Sequence, residues 1–470
     1  MPISNNLDKE VILPIYSDFK QAFKFCEKES LPYLNLMGLV FHEAMYFTSC
    51  FVYEKTWYSR ESKFEYPFLG YRPHKYNSLS KGFVAPKKNK AKSFFSKCLS
   101  NSGYTIAILN PCLNINKLTN MLFRERIKYI FPNGSKITIP NIDKQIEIVE
   151  KIFSHIWHKY ELGDNYYQFI NAIKNSYKTM NKRSSSKTKY DLLLIGSPVN
   201  MSVRSEAANA LSKNIPTICI DHGNETGTAD VPSWGYDEQS YCSHFIGYGS
   251  AGILAIENGT YLRSLYDNKP EYIESNCSFV KNTYNHNEIQ KLGNEISNYK
   301  LAYIPMKLMG SKRLGPYLSI PDEDYLEWQR YIFKAIKNLD YKAHPKQIID
   351  SKIDNIKIVR DTLESCINRY DCFITDNAIS TVFANIAATN KPIIYFNIGF
   401  GNLTITAEKA IRERVIWIDI DINNPGSLLE KIEKQKNKKC TNNYTKQFSI
   451  TDHSDSREET VLKTIKSIMS

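Results

Sequence analysis

CFITDNAISTVFANIAATNKPIIYF, residues 372–396, compresses a whole folding unit into one line of sequence. An apolar run beginning at Cys372 ends on the polar pair Asp376-Asn377, Ser380-Thr381 open a helical pattern, and Lys391-Pro392 start a second apolar run. Strand, polar turn, helix and strand in that order make a crossover connection, and its two strands lie parallel. The same alternation extends outward in both directions. Strands are expected at DLLLIGS (191–197), TICIDHG (217–223), HFIGYG (244–249), LAYIPMK (301–307), LDYKAHP (339–345), IKIV (356–359) and VIWIDI (415–420). Between them run patterns such as DEDYLEWQRYIFKAIKNL, with apolar residues three and four apart, as on one face of a helix. Strands that alternate with helices predict parallel sheets covered on both faces, a doubly wound α/β architecture.

Toward the amino end the pattern is less regular. Residues 12–60 and 143–180 read as largely helical, with strands expected at YTIAIL (104–109) and KITI (136–139). Residues 276–285 read as a closing strand and link, followed by a helix over NEIQKLGNEISNY (287–299). This divides the chain into 1–290, 291–440 and a tail, 441–470. In the tail SREETVLKTIKSIMS opens with Ser456 and Glu459 at the spacing of a capping box and predicts a terminal helix.

Composition narrows the classes. The 470 residues carry a net charge of +12, with 42% hydrophobic and 23% charged residues, which excludes wholesale disorder. Gly 20 and Pro 19 exclude a collagenous chain. The start, MPISNNLDKEVILPIY, lacks the apolar core of a secretory signal. LMGLVFHEAMYF (36–47) falls short of the roughly 20 residues of a membrane span and reads as a buried helix. The 10 cysteines include no CxxC pair, and Cys219 and Cys372 sit inside apolar runs as small hydrophobes, so a cytoplasmic chain is expected. The Lys-rich segments PKKNKAK (86–92), NKRSSSKTK (181–189) and EKIEKQKNKK (430–439) are solvated surface or a footing on an anionic membrane face. With no zinc-finger spacing and no RNP-like motif, nucleic acid is not expected as a partner.

Three polar clusters follow apolar strands, where a parallel sheet gathers its ligands. Asp221-His222-Gly223-Asn224-Glu225 follows TICI and places a histidine with two carboxylates, the makings of a general base, or else of a plain turn. Lys342-Ala343-His344-Pro345-Lys346 suits a phosphate ester or is a basic surface turn. Asp376 with Ser380 and Thr381 offers hydroxyls and backbone N–H groups to an anion, or simple helix capping. A fourth motif competes. Gly247-Tyr248-Gly249-Ser250-Ala251-Gly252 fits G-x-G-x-x-G and keeps a nicotinamide-dependent oxidoreductase open. His155 and His158 share a helix face without a third metal ligand, and His42-Glu43 is a core pair or an acid/base pair in a cleft.

A His-Gly after an early strand, a lysine after the first strand beyond the link, then His-Pro, then Ser-Thr before Lys-Pro resembles the GT-B glycosyltransferases of bacterial capsule and lipopolysaccharide synthesis. The enzymes that use CMP-activated ulosonic acids are the nearest in look, and the CDP-glycerol transferases of teichoic acid synthesis share a similar layout. The resemblance spans roughly 190–425 and is most specific over Leu301–Phe396. It implies two Rossmann-like domains facing a cleft, an amino-terminal acceptor domain, a carboxyl-terminal donor domain and a closing tail helix. It also implies donor contacts from Lys307, Lys342, His344, Pro345, Asp376, Ser380 and Thr381, and catalysis by His222 with Asp221 or Glu225. Ser197, Gly223 and Asn224 would line the acceptor side. No cofactor and no metal are implied, because basic side chains and helix dipoles stabilise the leaving phosphate. The partners implied are a nucleotide-sugar donor and a glycan or glycolipid acceptor at the inner membrane face. Two departures stand out: Asn385 occupies a place where many relatives carry Glu, and DHGNETG replaces the WHG-T-P form of the glycerol-phosphate enzymes. A GT-B-shaped assembly protein without catalysis is a third class of reading.

Overall fold

The computed structural model describes residues 7–26, 33–57, 103–109, 113–132, 138–164, 166–181, 189–196, 198, 201–223, 226–230, 238–258, 269–306, 320, 322–344, 353, 356–399, 401–452 and 455–470. Two six-stranded sheets organise them. The first contains β1 (Thr105–Leu109), β2 (Lys128–Ile130), β3 (Leu192–Ile195), β4 (Thr217–Ile220), β5 (His244–Tyr248) and β6 (Glu271–Ser275). The second contains β7 (Leu301–Ile304), β8 (Leu339–Lys342), β9 (Ile358–Val359), β10 (Cys372–Thr375), β11 (Ile393–Asn397) and β12 (Ile416–Asp419).

The strand orders are β2-β1-β3-β4-β5-β6 and β9-β8-β7-β10-β11-β12, and every neighbouring pair is parallel. These are the flavodoxin-like and the Rossmann orders of doubly wound sheets, so the chain pairs two Rossmann-like units as a GT-B fold does. Each order reverses once, between β1 and β3 in one sheet and between β7 and β10 in the other.

Alternation along each strand feeds two cores. In the first sheet Ala107, Leu109, Leu193 and Ile195 join Phe19, Phe41, Phe153 and Phe169 from the amino-terminal helices. Ile106, Ile108, Leu192 and Leu194 face the other way, onto Leu118, Leu122, Val461 and Ile465. These four belong to the helices Ile115–Arg124 and Arg457–Met469, so the last helix closes the first sheet. The second sheet is likewise covered by Tyr325, Trp328 and Ile332 on one face and by Phe383, Ile411, Tyr444 and Phe448 on the other.

The sequence expectations differ from this in three places. Residues 276–285 contain the short helix Ser278–Thr283 rather than a strand, and the strand precedes it as β6. Over 287–299 only a single 3-10 turn forms, Ile296–Asn298. The backbone N–H of Asn285 donates to Ala388 O at 2.8 Å and that of Gln290 to Asn390 O at 2.7 Å, so tertiary partners take the bonds a helix would need. The strand expected at 136–139 is replaced by β2; Thr138 and Ile139 are not in a strand, and 136–137 lie outside the described residues. No helix among the described residues is long and apolar enough to cross a membrane.

Candidate functional site

At the end of β4 the chain makes a tight turn. Asp221 is fully buried, and its Oδ1 accepts the Gly223 N–H at 3.0 Å, while the Asp221 N–H continues the sheet to Ile246 O at 2.9 Å. An Asp side chain closing its own turn two residues on is an Asx-turn. It leaves His222 exposed between two buried neighbours, Asp221 and Gly223.

The reversal of the second sheet lies opposite. Thr375 Oγ1 donates to Ile304 O at 2.9 Å and locks the end of β10 to the end of β7. Asp376, also fully buried, accepts from Tyr325 Oη at 2.8 Å, from Trp328 Nε1 at 3.0 Å and from the Tyr303 hydroxyl. Tyr325 Oη in turn accepts the Met306 N–H at 2.8 Å, so this carboxylate fixes the chain leaving β7. Sequence reasoning did not find the two tyrosines and the tryptophan. The one signal was the i, i+3 spacing of Tyr325 and Trp328 on an amphipathic helix, which packing alone explains equally well.

Beyond Asp376, Ser380 Oγ accepts the Phe383 N–H at 3.0 Å and caps the helix Thr381–Ala387. Thr381 Oγ1 donates across to Gly223 O at 3.0 Å. The sequence clusters at 221–223 and 376–381, far apart in the chain, are thus bonded to one another. Nearby, Thr404 Oγ1 donates to Gly227 O at 2.8 Å, and an antiparallel bridge joins Ala229 to Leu403.

Lys342 ends β8 at 4% exposure, with Nζ donating to Ala343 O at 2.9 Å, and burial pulls its ammonium below the usual lysine value. His344 follows, half-buried. Since β8, β7 and β10 are consecutive in the sheet, the ends of β8 and β10 lie about 10 Å apart at ordinary strand spacing, with His344 two residues beyond the end of β8. Lys391 donates to Ile367 O at 2.8 Å and also to Tyr370 O, so it clamps backbone. Asn385, 2% exposed, receives Thr283 Oγ1 at 3.1 Å and gives Nδ2 to Glu364 at 3.2 Å. Lys307, Pro345, Lys346, Ser197, Asn224 and Glu225 lie outside the described residues, as do the side chains of His42 and Glu43. Among the described residues no group of three His, Cys, Asp or Glu side chains could hold a metal ion.

The glycine motif at 247–252 is filled from within. Gly249 has φ +64, and a Cβ there would lie 2.4 Å from Gln447 O; at Gly252 the neighbours are Phe448 and Thr226. A dinucleotide motif keeps its second glycine bare so that a pyrophosphate can approach. Here the chain's own backbone takes that space, which removes the basis for a nicotinamide site at this loop.

No family model and no curated protein matches the chain. Among solved structures, it is similar to the UDP-N-acetylglucosamine 2-epimerase from Rickettsia bellii at 13% identity, over 78% of this chain and 96% of that one, with a TM-score of 0.35. The chain's own strand orders, all parallel, define its two Rossmann-like units.

Proposed function

We propose that this chain is a metal-independent glycosyltransferase. It transfers a sugar, a CMP-activated ulosonic acid such as Kdo or a sialic-acid-like sugar, from its nucleotide to a cell-surface glycan or glycolipid. The observation that carries the reading is the Thr381–Gly223 hydrogen bond, which joins the histidine turn of one sheet to the reversal point of the other. Ligands of open α/β sheets bind outside the carboxyl ends of the strands at such reversals.

In this reading residues 1–290 hold the acceptor and 291–440 the donor. His344 and Ser380 meet the donor phosphate, with Lys307, Lys342 and Pro345 on the same donor side, while Thr381 ties that side to Gly223. Lys342 contributes positive charge from a buried position, and Asp376 acts through Tyr325 on the chain at Met306. His222 takes the proton of the acceptor hydroxyl as that oxygen attacks the anomeric carbon. The bond from that carbon to the phosphate oxygen breaks, and CMP leaves with the electron pair. Asp221 holds the turn, and Asp221 or Glu225 is the carboxylate partner assigned to His222 in this reading. The basic surface favours the cytoplasmic face of an anionic membrane, where such acceptors are carried.

A thermal-shift panel with CMP, CDP, UDP, GDP and NAD tests this on wild type and on His344→Ala. A ligand at 100 times its Kd stabilises the fold by about 2.7 kcal/mol, well within reach of the method. CMP should raise the melting temperature of wild type and leave that of His344→Ala unmoved. His222→Ala should still bind CMP and lose about 10²- to 10⁴-fold in turnover, the usual worth of a general base. A response to UDP, GDP or CDP alone would change the donor within the same fold. A response to NAD alone, or to nothing, would overturn the reading in favour of an oxidoreductase or an assembly protein.

A further inference from the structure

The turn that carries His222 is held from behind by the far end of the chain. Tyr248 Oη donates to Asp221 O at 3.0 Å, and Arg457 Nη1 donates to the same hydroxyl at 2.6 Å. A phenol has one proton, and here it goes forward to the carbonyl, so the guanidinium is necessarily the donor behind it. The bonds run in one direction, from Arg457 through Tyr248 to the peptide group that joins Asp221 to His222. A charged donor strengthens the next bond in such a chain.

Packing does not explain this arrangement. Tyr248 is 2% exposed and Arg457 8%. Burying a guanidinium is costly unless it is paired and hydrogen-bonded. The helix Arg457–Met469 already has Val461, Leu462 and Ile465 to fasten it to the first sheet. The charge is balanced locally by Glu458, 3.7 Å from Arg457 Nη2. Glu458 also accepts the Asn114 N–H at 3.2 Å and Ser278 Oγ at 3.4 Å. On the far side of the turn the Gly223 carbonyl is taken by Thr381. An exposed histidine thus sits on a backbone immobilised from both sides.

We infer that Tyr248 and Arg457 are positioning residues for His222, fixing through the Asp221 carbonyl the direction in which its imidazole enters the cleft. The inference rests on the reading of His222 as the base. It makes the terminal helix a working part of the first sheet's site.

The test uses the full-length chain labelled at histidine Cε1, which gives one imidazole signal for each of the nine histidines. The His222 signal is assigned by its loss in His222→Gln. In Tyr248→Phe and in Arg457→Gln the His222 signal should shift, while those of His155 and His158 stay in place. Arg457→Lys, which keeps the charge and a donor, should return the signal part of the way. With the sugar nucleotide that wild type turns over, both variants should lose about tenfold in kcat, with nucleotide Kd unchanged, the factor for one hydrogen bond's worth of positioning. An unmoved His222 signal in both variants overturns the inference. So does a common shift of all nine signals in both, which would mark a general loosening of the fold. If wild type turns over no sugar nucleotide, the functional reading fails, while the imidazole signals still decide the positioning.

Discussion

At the residue scale, Gly249 shows how a motif and its setting can disagree. The pattern it belongs to reads as a nucleotide loop, yet the space over it is occupied by Gln447 and Phe448. Gly249→Ala would put a Cβ 2.4 Å from a backbone carbonyl at a φ of +64, a conformation that L side chains rarely adopt. We expect urea denaturation to show a loss of more than about 1 kcal/mol without any ligand present. A variant as stable as wild type would show that the segment at 447–448 yields easily. Loss of function in a destabilised Gly249→Ala would report backbone damage, not a missing dinucleotide. The buried tyrosines give a second expectation. Burial raises Tyr248 and Tyr303 well above the usual phenol value of 10.0, with Asp376 adding to the effect at Tyr303. The folded state therefore favours the neutral phenols. Below about pH 10 both folded and unfolded chains carry them neutral, and the stabilisation is fully present. Above it the unfolded chain ionises first, so stability falls as pH rises, by up to about 1.4 kcal/mol per pH unit for each phenol. Denaturation curves at pH 8.5 and 11 should show the drop, and Tyr303→Phe should make it shallower.

Elements were legible where local chemistry and tertiary demand agreed. Ser456 and Glu459 form the capping box that their spacing announces, with the Ser456 side chain accepting from Glu459 N and the Glu459 side chain from Ser456 N. Ser456→Ala should cost about 1 kcal/mol in a thermal melt, and Ser456→Asp, which can still cap, much less. Equal losses in the two would mean that the hydroxyl matters through its bond to Lys117, at 2.6 Å, and not through the cap. The destination of that helix could not be read. Its apolar stripe says that one side is buried, but not that the partners are Ile106, Ile108 and Leu118, more than 300 positions earlier. β6 escaped notice because its edge position leaves Glu271 exposed and only Ser275 fully buried, so EYIES shows no apolar run. The segment at 287–299 failed in the opposite sense. Its apolar residues recur at helical spacing, and Leu292 and Ile296 are buried as that spacing requires, but Asn285 and Gln290 spend their N–H groups on the second unit's carbonyls. A periodic pattern reports burial, and the path of the backbone depends on where its hydrogen bonds find partners.

For the whole molecule the deciding fact is how the two sheets are tied, and that information lay in residues with no motif value of their own. Thr381 entered as half of a hydroxyl pair expected to meet phosphate. Its proton is instead committed to Gly223 O, so it ties the turn after β4 to the helix that follows β10. Thr404 repeats the device at Gly227, and Tyr248, Cys277, Val280, Ala384 and Ala388 form a small apolar cluster between the units. Thr381→Val keeps the shape and removes the donor, leaving a buried carbonyl without this partner at a cost of about 1–3 kcal/mol. The loss falls on the joint between the sheets. Each sheet keeps its own cores, so the donor half should bind its nucleotide with unchanged Kd. The histidine turn and the reversal point should no longer be held in register, and kcat should drop about tenfold or more, since small misplacements of reacting groups are costly in rate. Thr381→Ser, which restores the hydroxyl, should recover most of the rate. If Thr381→Val weakened nucleotide binding and left kcat intact, Thr381 would be a donor contact, as the sequence resemblance implies, and the tie to Gly223 would be incidental to catalysis.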